Sequence, residues 1–466
     1  MPAKTKRITK QQKVRKFKRL VDRLPRRTLF IAIFALFGLG VIFVKATSPV
    51  DNNFITSVAD LGKISQPANF LGRDGGDSAL VGGKVTWIFG DTLYAPTVPT
   101  TGDLFRSATA AIGNINNPTQ VTDPLDARKV PNQLIPHTPA EQAYNIAHRD
   151  GNDRYALWPS TIATRGDGNS AWVYFNDLLI SGGKWTTQGT GIAVLGANST
   201  LATRQPGFLF SASEPPFRKA LVVGNTLYAY SGAAGQSLCE VSRVPLDQAG
   251  TRGAYQFWNG TAWVSAIGQA KKVIPCSNMG YSVMYNRALK SYVEAIIPNY
   301  SKTVYFSYAP APEGPWSTPI KGVDLPHGSA DKWLYVPNMH PELSQDGDKS
   351  VFLSYSGDGG TVRLLKLSIK PPTNGESASQ LAAASYGTAL GQPAAPKAKA
   401  PSSSSSKTAT PAAEAPAPSA ATATVEAPAA KATTPTVAST KKLNLWQRFN
   451  LYLRRHWNAV IKSLSS

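Results

Sequence analysis

The densest group of polar residues in the chain surrounds one aromatic segment. Residues 72–78 read GRDGGDS, and residues 87–92 read WIFGDT, so glycine-rich turns and acids occur at both ends of a short apolar run. A bulge in such a strand can aim a side chain inward, so Asp74 and Asp91 are candidates for a converging pair. Two carboxyl groups in one cavity can divide acid and base roles between them.

Aspartates in glycine-rich turns also accept hydrogen bonds from nearby backbone N–H groups, which requires no chemistry. The sequence favours this simpler interpretation for Asp77, which stays only a weak candidate for substrate contact. For Asp74 and Asp91 both interpretations stay open. Further weak candidates are side chains that could point into a central channel, or instead occupy rims, turns, ion pairs or contacts between blades: Trp158, Asp177, Glu214, Glu294 and His340.

The composition excludes several classes of site. Five histidines and two cysteines make a histidine-rich or four-cysteine metal site improbable, although a central calcium ion held by oxygen ligands stays possible. The sequence contains neither a G-x-S-x-G nucleophile elbow nor a phosphate-binding loop that ends in GK[ST]. We therefore expect no cofactor apart from that possible calcium ion.

The elements that must position these residues are short β-strands. Between residues 46 and 370 aromatic and β-branched runs end at Gly, Asn, Asp or Pro turns, and they group near residues 90, 170, 225, 290 and 350. That spacing of about sixty residues gives five units, and it predicts an all-β, five-bladed propeller. A two-sheet jelly roll is the alternative, but it accounts less well for the regular spacing.

Several motifs together resemble a known family. GRDGG-x-S, WIFGDT, residues 157–159 (LWP), 309–316 (APAPEGPW) and 335–342 (YVPNMHPE) span about residues 60–370. The combination resembles a bacterial propeller family long described as a domain of unknown function, whose members include endo-D-arabinanases acting on mycobacterial arabinan. It is also similar in plan to the five-bladed propeller arabinanases and xylosidases.

The resemblance implies that Asp74 and Asp91 are catalytic carboxylates. Cleavage of a glycosidic bond needs one carboxyl group to protonate the leaving oxygen and a second to act as base or nucleophile. We therefore expect a glycoside hydrolase that cleaves a furanoside, arabinan-like polysaccharide. The competing hypothesis is a non-catalytic propeller that binds a surface glycan or a protein, because the same fold serves both purposes.

The strong positive charge of the chain belongs to its two ends. The formal net charge is +21 over 466 residues, but residues 46–370 carry only +2. Residues 1–27 carry +11 and residues 441–466 carry +6. A nearly neutral body without a basic, aromatic surface pattern argues against a nucleic-acid partner.

The N-terminal region has the pattern of a membrane anchor. The segment TLFIAIFALFGLGVIFV (28–44) has no charge and follows the basic segment 1–27, so residues 28–45 are predicted to span the membrane with the body outside. A cleavable signal peptide and a buried core helix are the alternatives. In an oxidising compartment Cys239 and Cys276 could pair, or they could be two buried free thiols.

The C-terminal region is predicted to be a linker followed by a helix. Residues 371–440 are biased toward Ala, Pro, Ser and Thr, most strongly from about Gln392, which is typical of a disordered linker. Residues 441–466 place Trp446, Leu453 and Trp457 at helical spacing opposite basic side chains. That pattern suits an amphipathic helix on an anionic membrane surface, or one that docks on a protein.

Overall fold

The computed structural model describes residues 54–95, 105–148, 153–232, 237–329, 331–357 and 359–390. These residues form five antiparallel sheets arranged as blades, which confirms the prediction of an all-β, five-bladed propeller. The predicted anchor, residues 28–45, and the predicted amphipathic helix, residues 441–466, lie outside the described residues. Within the described ranges no helix has the length and apolar character needed to cross a bilayer.

Strand β1 (Ile55–Lys63) belongs to the fifth blade, and the other strands follow in chain order. The first blade contains β2 (Phe70–Val81), β3 (Lys84–Tyr94), β4 (Phe105–Arg106), β5 (Thr109–Asn114) and β6 (Asn117–Thr122). The second contains β7 (Arg154–Thr164), β8 (Ser170–Ser181), β9 (Lys184–Gly196), β10 (Thr203–Arg204) and β11 (Phe210–Ser211). The third contains β12 (Phe217–Val223), β13 (Thr226–Ser231), β14 (Leu238–Pro245), β15 (Gln256–Trp258), β16 (Trp263–Val264) and β17 (Lys272–Pro275).

The fourth blade contains β18 (Tyr281–Asn286), β19 (Ser291–Ile296), β20 (Thr303–Ala309) and β21 (Ile320–Asp324). The fifth contains β22 (Leu334–Met339), β23 (Ser350–Gly357) and β24 (Thr361–Ile369), together with β1. In the part of the chain that the structure describes, two α-helices of nine residues lie outside the sheets, α1 (Pro139–Ala147) and α2 (Ala378–Tyr386). Short 3₁₀ helices occupy Leu246–Gln248, Arg252–Ala254, Ile267–Gln269 and Pro341–Leu343.

The ring closes by pairing one end of the folded body with the other. Strand β1 adds to the outer edge of the fifth blade, with Ile55 opposite Ile369 and Lys63 opposite Arg363. Such closure leaves only short sheet edges exposed, which is how a radial arrangement of sheets avoids unpaired backbone groups. Large apolar side chains then fill the spaces between blades, including Phe175, Tyr230 and Tyr355.

The innermost strands of the five blades contact one another around the channel and run parallel along its axis. They are β2, β7, β12, β18 and β22. For example, Val336 N donates to Met279 O at 2.6 Å, and Met339 N donates to Ser282 Oγ at 3.1 Å. Both contacts move three residues along each chain segment, so β18 and β22 are parallel. Because each inner strand opens its own blade, the beginnings of all five surround one mouth of the central channel. Residues near these beginnings can therefore meet, although they are far apart in the sequence.

The folded body extends beyond residue 370, where the composition predicts a linker. For residues 371–390 that prediction is wrong, because α2 begins at a capping box formed by Ser377 and Gln380 and packs on the propeller. Ala378 and Ala382 are completely buried, and Ser379 N donates to Ser291 Oγ at 2.9 Å. Small side chains let the helix approach the sheet closely, and composition alone does not distinguish this use of alanine from a flexible linker.

The two cysteines form a disulfide between neighbouring strands of the third blade. Cys239 lies in β14, and Cys276 follows β17, 37 positions later in the sequence. The sequence left paired and free thiols open, and the structure pairs them. A cross-link of this length stabilises the folded state mainly by restricting the unfolded chain.

We expect replacement of both cysteines by serine to lower the free energy of unfolding by about 2–4 kcal/mol, because the unfolded chain regains loop entropy. Chemical denaturation of the folded body measures this change. A reducing agent should lower the stability of the wild-type protein and leave the double variant unchanged. Equal denaturation midpoints for all samples would contradict the prediction.

Candidate active site

A double bulge in the first inner strand places Asp74 at the mouth of the channel. The pairing of β2 with β3 shifts register between Arg73 and Gly75 and again between Gly75 and Asp77. Gly75 and Gly76 have positive backbone angles, φ +84° and +88°, which residues other than glycine rarely adopt. The GRDGG sequence therefore has a local structural reason, because its two glycines bend the strand immediately after the aspartate.

Arg73 anchors this bulge from the opposite side of the strand. Its guanidinium is buried, donates to Asp123 Oδ1 at 2.6 Å and lies 3.7 Å from the ring centroid of Phe89. Its other terminal nitrogen donates to Ser65 O at 2.5 Å. Consecutive strand residues point to opposite faces, so an anchored Arg73 directs Asp74 toward the mouth.

Asp91 lies on the adjacent strand, directly beside Asp74. The register places Arg73 opposite Thr92 and Gly75 opposite Phe89, so Asp74 faces the pair Gly90–Asp91. A Cβ atom on Gly90 would clash with Asp74 Oδ1, so glycine leaves room for this carboxyl group in its present position. The structure thus brings together the two carboxyl groups whose convergence the sequence left open.

The two carboxyl groups have different partners. Asp74 Oδ2 accepts a hydrogen bond from Tyr335 Oη at 2.9 Å. Asp91 accepts from the indole nitrogen of Trp158 at 2.5 Å and from Arg154 Nη2 at 3.2 Å. The Asp91 side chain keeps 24% of its surface exposed, so solvent or a ligand can reach the pair.

These environments affect the acidity of the two groups differently. Burial, and then the neighbouring Asp91 carboxylate, raise the pKa of Asp74 to about 7, against the opposing hydrogen bond from Tyr335. Burial also raises the pKa of Asp91, while the charge of Arg154 and the Trp158 hydrogen bond oppose that rise. Two adjacent carboxylates resist ionising together, so the pair can hold one proton near neutral pH, on Asp74.

An aromatic surface adjoins this acid pair. Trp158 packs edge-to-face against Trp185, with ring centroids 5.1 Å apart, and Trp185 is 47% exposed. Trp158, a predicted substrate contact, therefore both orients Asp91 and borders an exposed indole. Such rings provide flat apolar surfaces for ligands that also need hydrogen bonds.

The centre of the channel is occupied by the ammonium group of Lys219. Lys219 belongs to the third blade, yet its Nζ donates to Ser160 O of the second blade at 2.7 Å and to Asn338 Oδ1 of the fifth at 2.8 Å. Contact with a non-adjacent blade requires it to cross the axis. Burial lowers its pKa to about 8, and the charge of Asp77 opposes that shift.

This arrangement does not fit the central calcium ion that the sequence left possible. Calcium needs about six to eight oxygen ligands, but here the axial oxygens already face a lysine ammonium that would repel a cation. Within the described ranges no group of three or more His, Cys, Asp or Glu side chains could hold a metal ion. We therefore derive no chemistry from a metal at the hub.

The other predicted contact residues do not join the acid pair. Asp77 accepts from Ser78 N and Ile162 N, at 3.0 and 3.2 Å, and so links strand β2 of the first blade to strand β7 of the second. Glu214 pairs with Arg252 at 2.7 Å. His340 is buried between Ser78 and Ser354, with 2.7 and 2.8 Å contacts.

Glu294 and Asp177 are both buried away from the acid pair. Glu294 lies inside the fourth blade, opposite Val283 and Ser307, where burial holds its pKa well above the usual range. Asp177 lies in β8 and forms a separate group with Arg204 of β10, at 2.9 Å. Neither position could be read from the sequence, because both residues sit in unremarkable strands.

Sequence reasoning missed the residues that control the acid pair. Tyr335 lies in the YVPNMHPE segment, but nothing in that segment indicates a contact with a residue 261 positions away. Arg154 and Lys219 gave no signal, since single basic residues in strands are common. The capping box at Thr138 and Glu141 is a signal that could have revealed α1.

The chain matches the sequence profile of a domain of unknown function, DUF4185, over residues 51–358. The chain belongs to the DUF4185 family. No curated protein matches its sequence. Among solved structures, a proposed hydrolase from Bacteroides ovatus is similar to this DUF4185 protein, with 14% identity and a TM-score of 0.51. The match covers 65% of this chain and 87% of the other, and at this identity it shows a shared fold.

Two further structures are less similar to the DUF4185 protein. A family 117 glycoside hydrolase from Zobellia galactanivorans has 11% identity and a TM-score of 0.43, over 68% of this chain and 92% of the other. An α-L-arabinofuranosidase from Podospora anserina has 10% identity and a TM-score of 0.40, over 70% and 99%.

The raised pKa of Asp74 predicts an unusual effect of pH on stability. An acid whose pKa is higher in the folded state reduces stability as pH rises from its unfolded value, 3.8, to its folded value, about 7. We expect Asp74→Asn to unfold at a higher temperature than wild type, by a margin that grows between pH 5 and pH 8. Thermal denaturation across this range measures it.

Asp60→Asn is the matched control for that experiment. Partial burial tends to raise the pKa of Asp60, but hydrogen bonds from Arg363 and Gly62 outweigh that effect and lower it below its usual value. Its replacement should therefore reduce stability near neutral pH. If the difference in unfolding temperature between Asp74→Asn and wild type does not change with pH, the pKa of Asp74 is not raised in the folded state.

Proposed function

We propose that this protein is a glycoside hydrolase that cleaves a furanoside, arabinan-like polysaccharide. The observation that carries the proposal is the position of Asp74 and Asp91, which lie side by side in a solvent-accessible mouth with different partners. Paired carboxyl groups with separated acidities are what glycosidic cleavage needs.

In this mechanism Asp74 donates a proton to the leaving glycosidic oxygen. A general acid works best when its pKa lies near the working pH, and the pKa of Asp74 is raised to about 7 by burial and by Asp91. Asp91 stays ionised more readily, because Arg154 and the Trp158 indole both stabilise its carboxylate. Asp91 then acts as the base or nucleophile on the sugar or on the attacking water.

The surroundings of the pair suit a neutral sugar. Trp185 presents an exposed indole face beside Trp158, and pyranose or furanose rings bind such surfaces through their apolar faces. The charge of Arg154 is used by Asp91, so it stabilises the carboxylate more than it attracts an anionic substrate.

We further propose that the propeller acts outside the cytoplasm, attached to the membrane through residues 28–45 and assisted by residues 441–466. The uncharged segment and its basic flank support this orientation. The disulfide Cys239–Cys276 also supports it, because such bonds persist in oxidising compartments.

The first test is the activity of the folded body, residues 47–390, on arabinogalactan. We expect Asp91→Asn and Asp74→Asn each to reduce kcat/KM by about 10²–10⁴-fold, the usual contribution of a positioned acid or base. Release of reducing ends measures the rate. Asp324→Asn, at a 71% exposed aspartate at the end of β21, is the control for the general effect of such a substitution.

Full product release by Asp91→Asn would reject its catalytic role. A wild-type body that binds arabinogalactan but releases no product would instead favour the competing hypothesis, a non-catalytic glycan-binding propeller.

The second test is the pH profile. If Asp74 must be protonated, kcat/KM should fall as the pH rises through about 7. Tyr335→Phe removes a hydrogen bond that favours the ionised form of Asp74, so it should move this alkaline limb to higher pH. Tyr300→Phe, at a 71% exposed tyrosine, is the control. An identical limb in Tyr335→Phe and wild type would contradict the assignment of Asp74 as the acid.

A further inference from the structure

A separate pocket lies at the second blade, between helix α1 and the sheet. It has a volume of about 280 Å³ and is lined by the following residues: Thr138, Ala140, Glu141, Tyr144, Tyr155, Asp177, Gln188 and Phe208. The acid pair Asp74–Asp91 takes no part in it. Drug-sized ligands need about 300–1,000 Å³, so this volume suits a single small ring.

One wall of the pocket is a hydrogen-bonded group of charged side chains. Arg204 donates to both carboxyl oxygens of Glu141, at 3.0 and 2.7 Å, and to Asp177 Oδ2 at 2.9 Å. The Asp177 side chain is completely buried, and burial, followed by the neighbouring Glu141 carboxylate, raises its pKa to about 7, so Asp177 shares a hydrogen bond with Glu141 in addition to the one it accepts from Arg204. This network holds the carboxyl groups of Glu141 and Asp177 in fixed positions along the pocket wall.

The position of this wall is fixed by α1. Thr138 and Glu141 form the capping box that starts the helix, so Glu141 caps the helix and lines the pocket at once. Asn145 binds both backbone groups of Tyr155, accepting from its N at 2.7 Å and donating to its O at 3.2 Å. The helix is thereby attached to the first strand of the second blade, and the pocket is formed before any ligand arrives.

The remaining walls are aromatic. Tyr144 and Tyr155 pack edge-to-face with centroids 5.3 Å apart, and Phe208 is 42% exposed at the opening. One guanidinium is shared by two carboxyl groups, so the pocket offers no excess positive charge to an anion. Aromatic walls, an amide and acceptor oxygens without excess positive charge are the features that bind an uncharged, hydroxyl-rich ring.

The pocket and the acid pair share strand β7. Arg154 contacts Asp91, whereas the next residue, Tyr155, lines the pocket. Consecutive Cα atoms are about 3.8 Å apart and their side chains point to opposite faces of the strand. The pocket and the acid pair therefore lie on opposite faces of the beginning of β7, one residue apart along the chain.

We infer that this pocket is a second sugar-binding site, which takes one neutral sugar ring of the same polysaccharide, remote from the bond that is cleaved. The inference rests on the proposed function for its choice of ligand. It assigns Asp177, Glu141 and Arg204 to substrate binding and gives them no part in bond cleavage.

The test fills the pocket from an exposed helix position. Ala140→Trp adds a large ring at the lining, whereas Ala143→Trp adds the same ring to another exposed position of α1 that does not line the pocket. Affinity electrophoresis on arabinogalactan gives the dissociation constant of each full chain. We expect Ala140→Trp to weaken binding about tenfold, equivalent to about 1.4 kcal/mol, and Ala143→Trp to bind like wild type.

A second pair of variants tests the same site independently, in case Ala140→Trp does not fold. Phe208→Ala removes the exposed aromatic wall and should weaken binding in the same direction, while Leu201→Ala, at another exposed apolar residue, should not. Hydrolysis of an aryl arabinofuranoside, which is too short to span both sites, should proceed at the wild-type rate in the control variants Ala143→Trp and Leu201→Ala.

The outcomes separate the two proposals. Unchanged arabinogalactan binding in both Ala140→Trp and Phe208→Ala, or no binding by wild type, would overturn the second sugar site. Full activity of Asp91→Asn would overturn the proposed catalysis and would leave the binding comparison intact.

Discussion

The candidate site depends on two carboxyl groups that are held too close together to ionise independently. Asp74 and Asp91 face each other across two paired strands, and neither can move away because each is held by groups from other blades. Tyr335 of the fifth blade holds the first, and Arg154 and Trp158 of the second blade hold the second. The closed ring therefore supplies the stability needed to keep two carboxyl groups together, which a single blade could not do.

The local sequence is adapted to this close pair at every position. Gly75 and Gly76 bend the strand, Gly90 leaves space for a carboxyl oxygen, and Arg73 fixes the bulge through a buried ion pair. In an ordinary strand each of these features would reduce stability, because glycine packs poorly and buried charges require partners. Their concentration around one pair of acids matches the way functional sites in proteins concentrate local features that cost stability.

The axis of the ring is held by an internal cation. Lys219 connects the third blade to the second and the fifth and lies near Asp77 of the first, so one ammonium group links four blades. This contact fixes the hub below the mouth without a metal. Asp77 lies near this ammonium group at the hub, while Asp74, three residues earlier, reaches the mouth.

The sequence by itself determined the class of fold. Five groups of strands at regular spacing predicted five blades, because strand periodicity and turn residues are local properties. It also selected Asp74 and Asp91, because a glycine-rich bulge and a glycine before an aspartate are visible in adjacent letters. Composition misassigned residues 371–390, since buried alanines and flexible alanines look the same until a partner surface is known.

Only the tertiary structure decided which groups tune and surround the acids. Tyr335, Arg154 and Lys219 reach their partners across 261, 63 and 119 positions of sequence, respectively, and no local pattern encodes such contacts. The same holds for Asp177, which the sequence offered for a channel and the structure places in a separate pocket with Glu141 and Arg204. Acidity and ligand binding depend on burial and on neighbouring charges, and both exist only once the ring has closed.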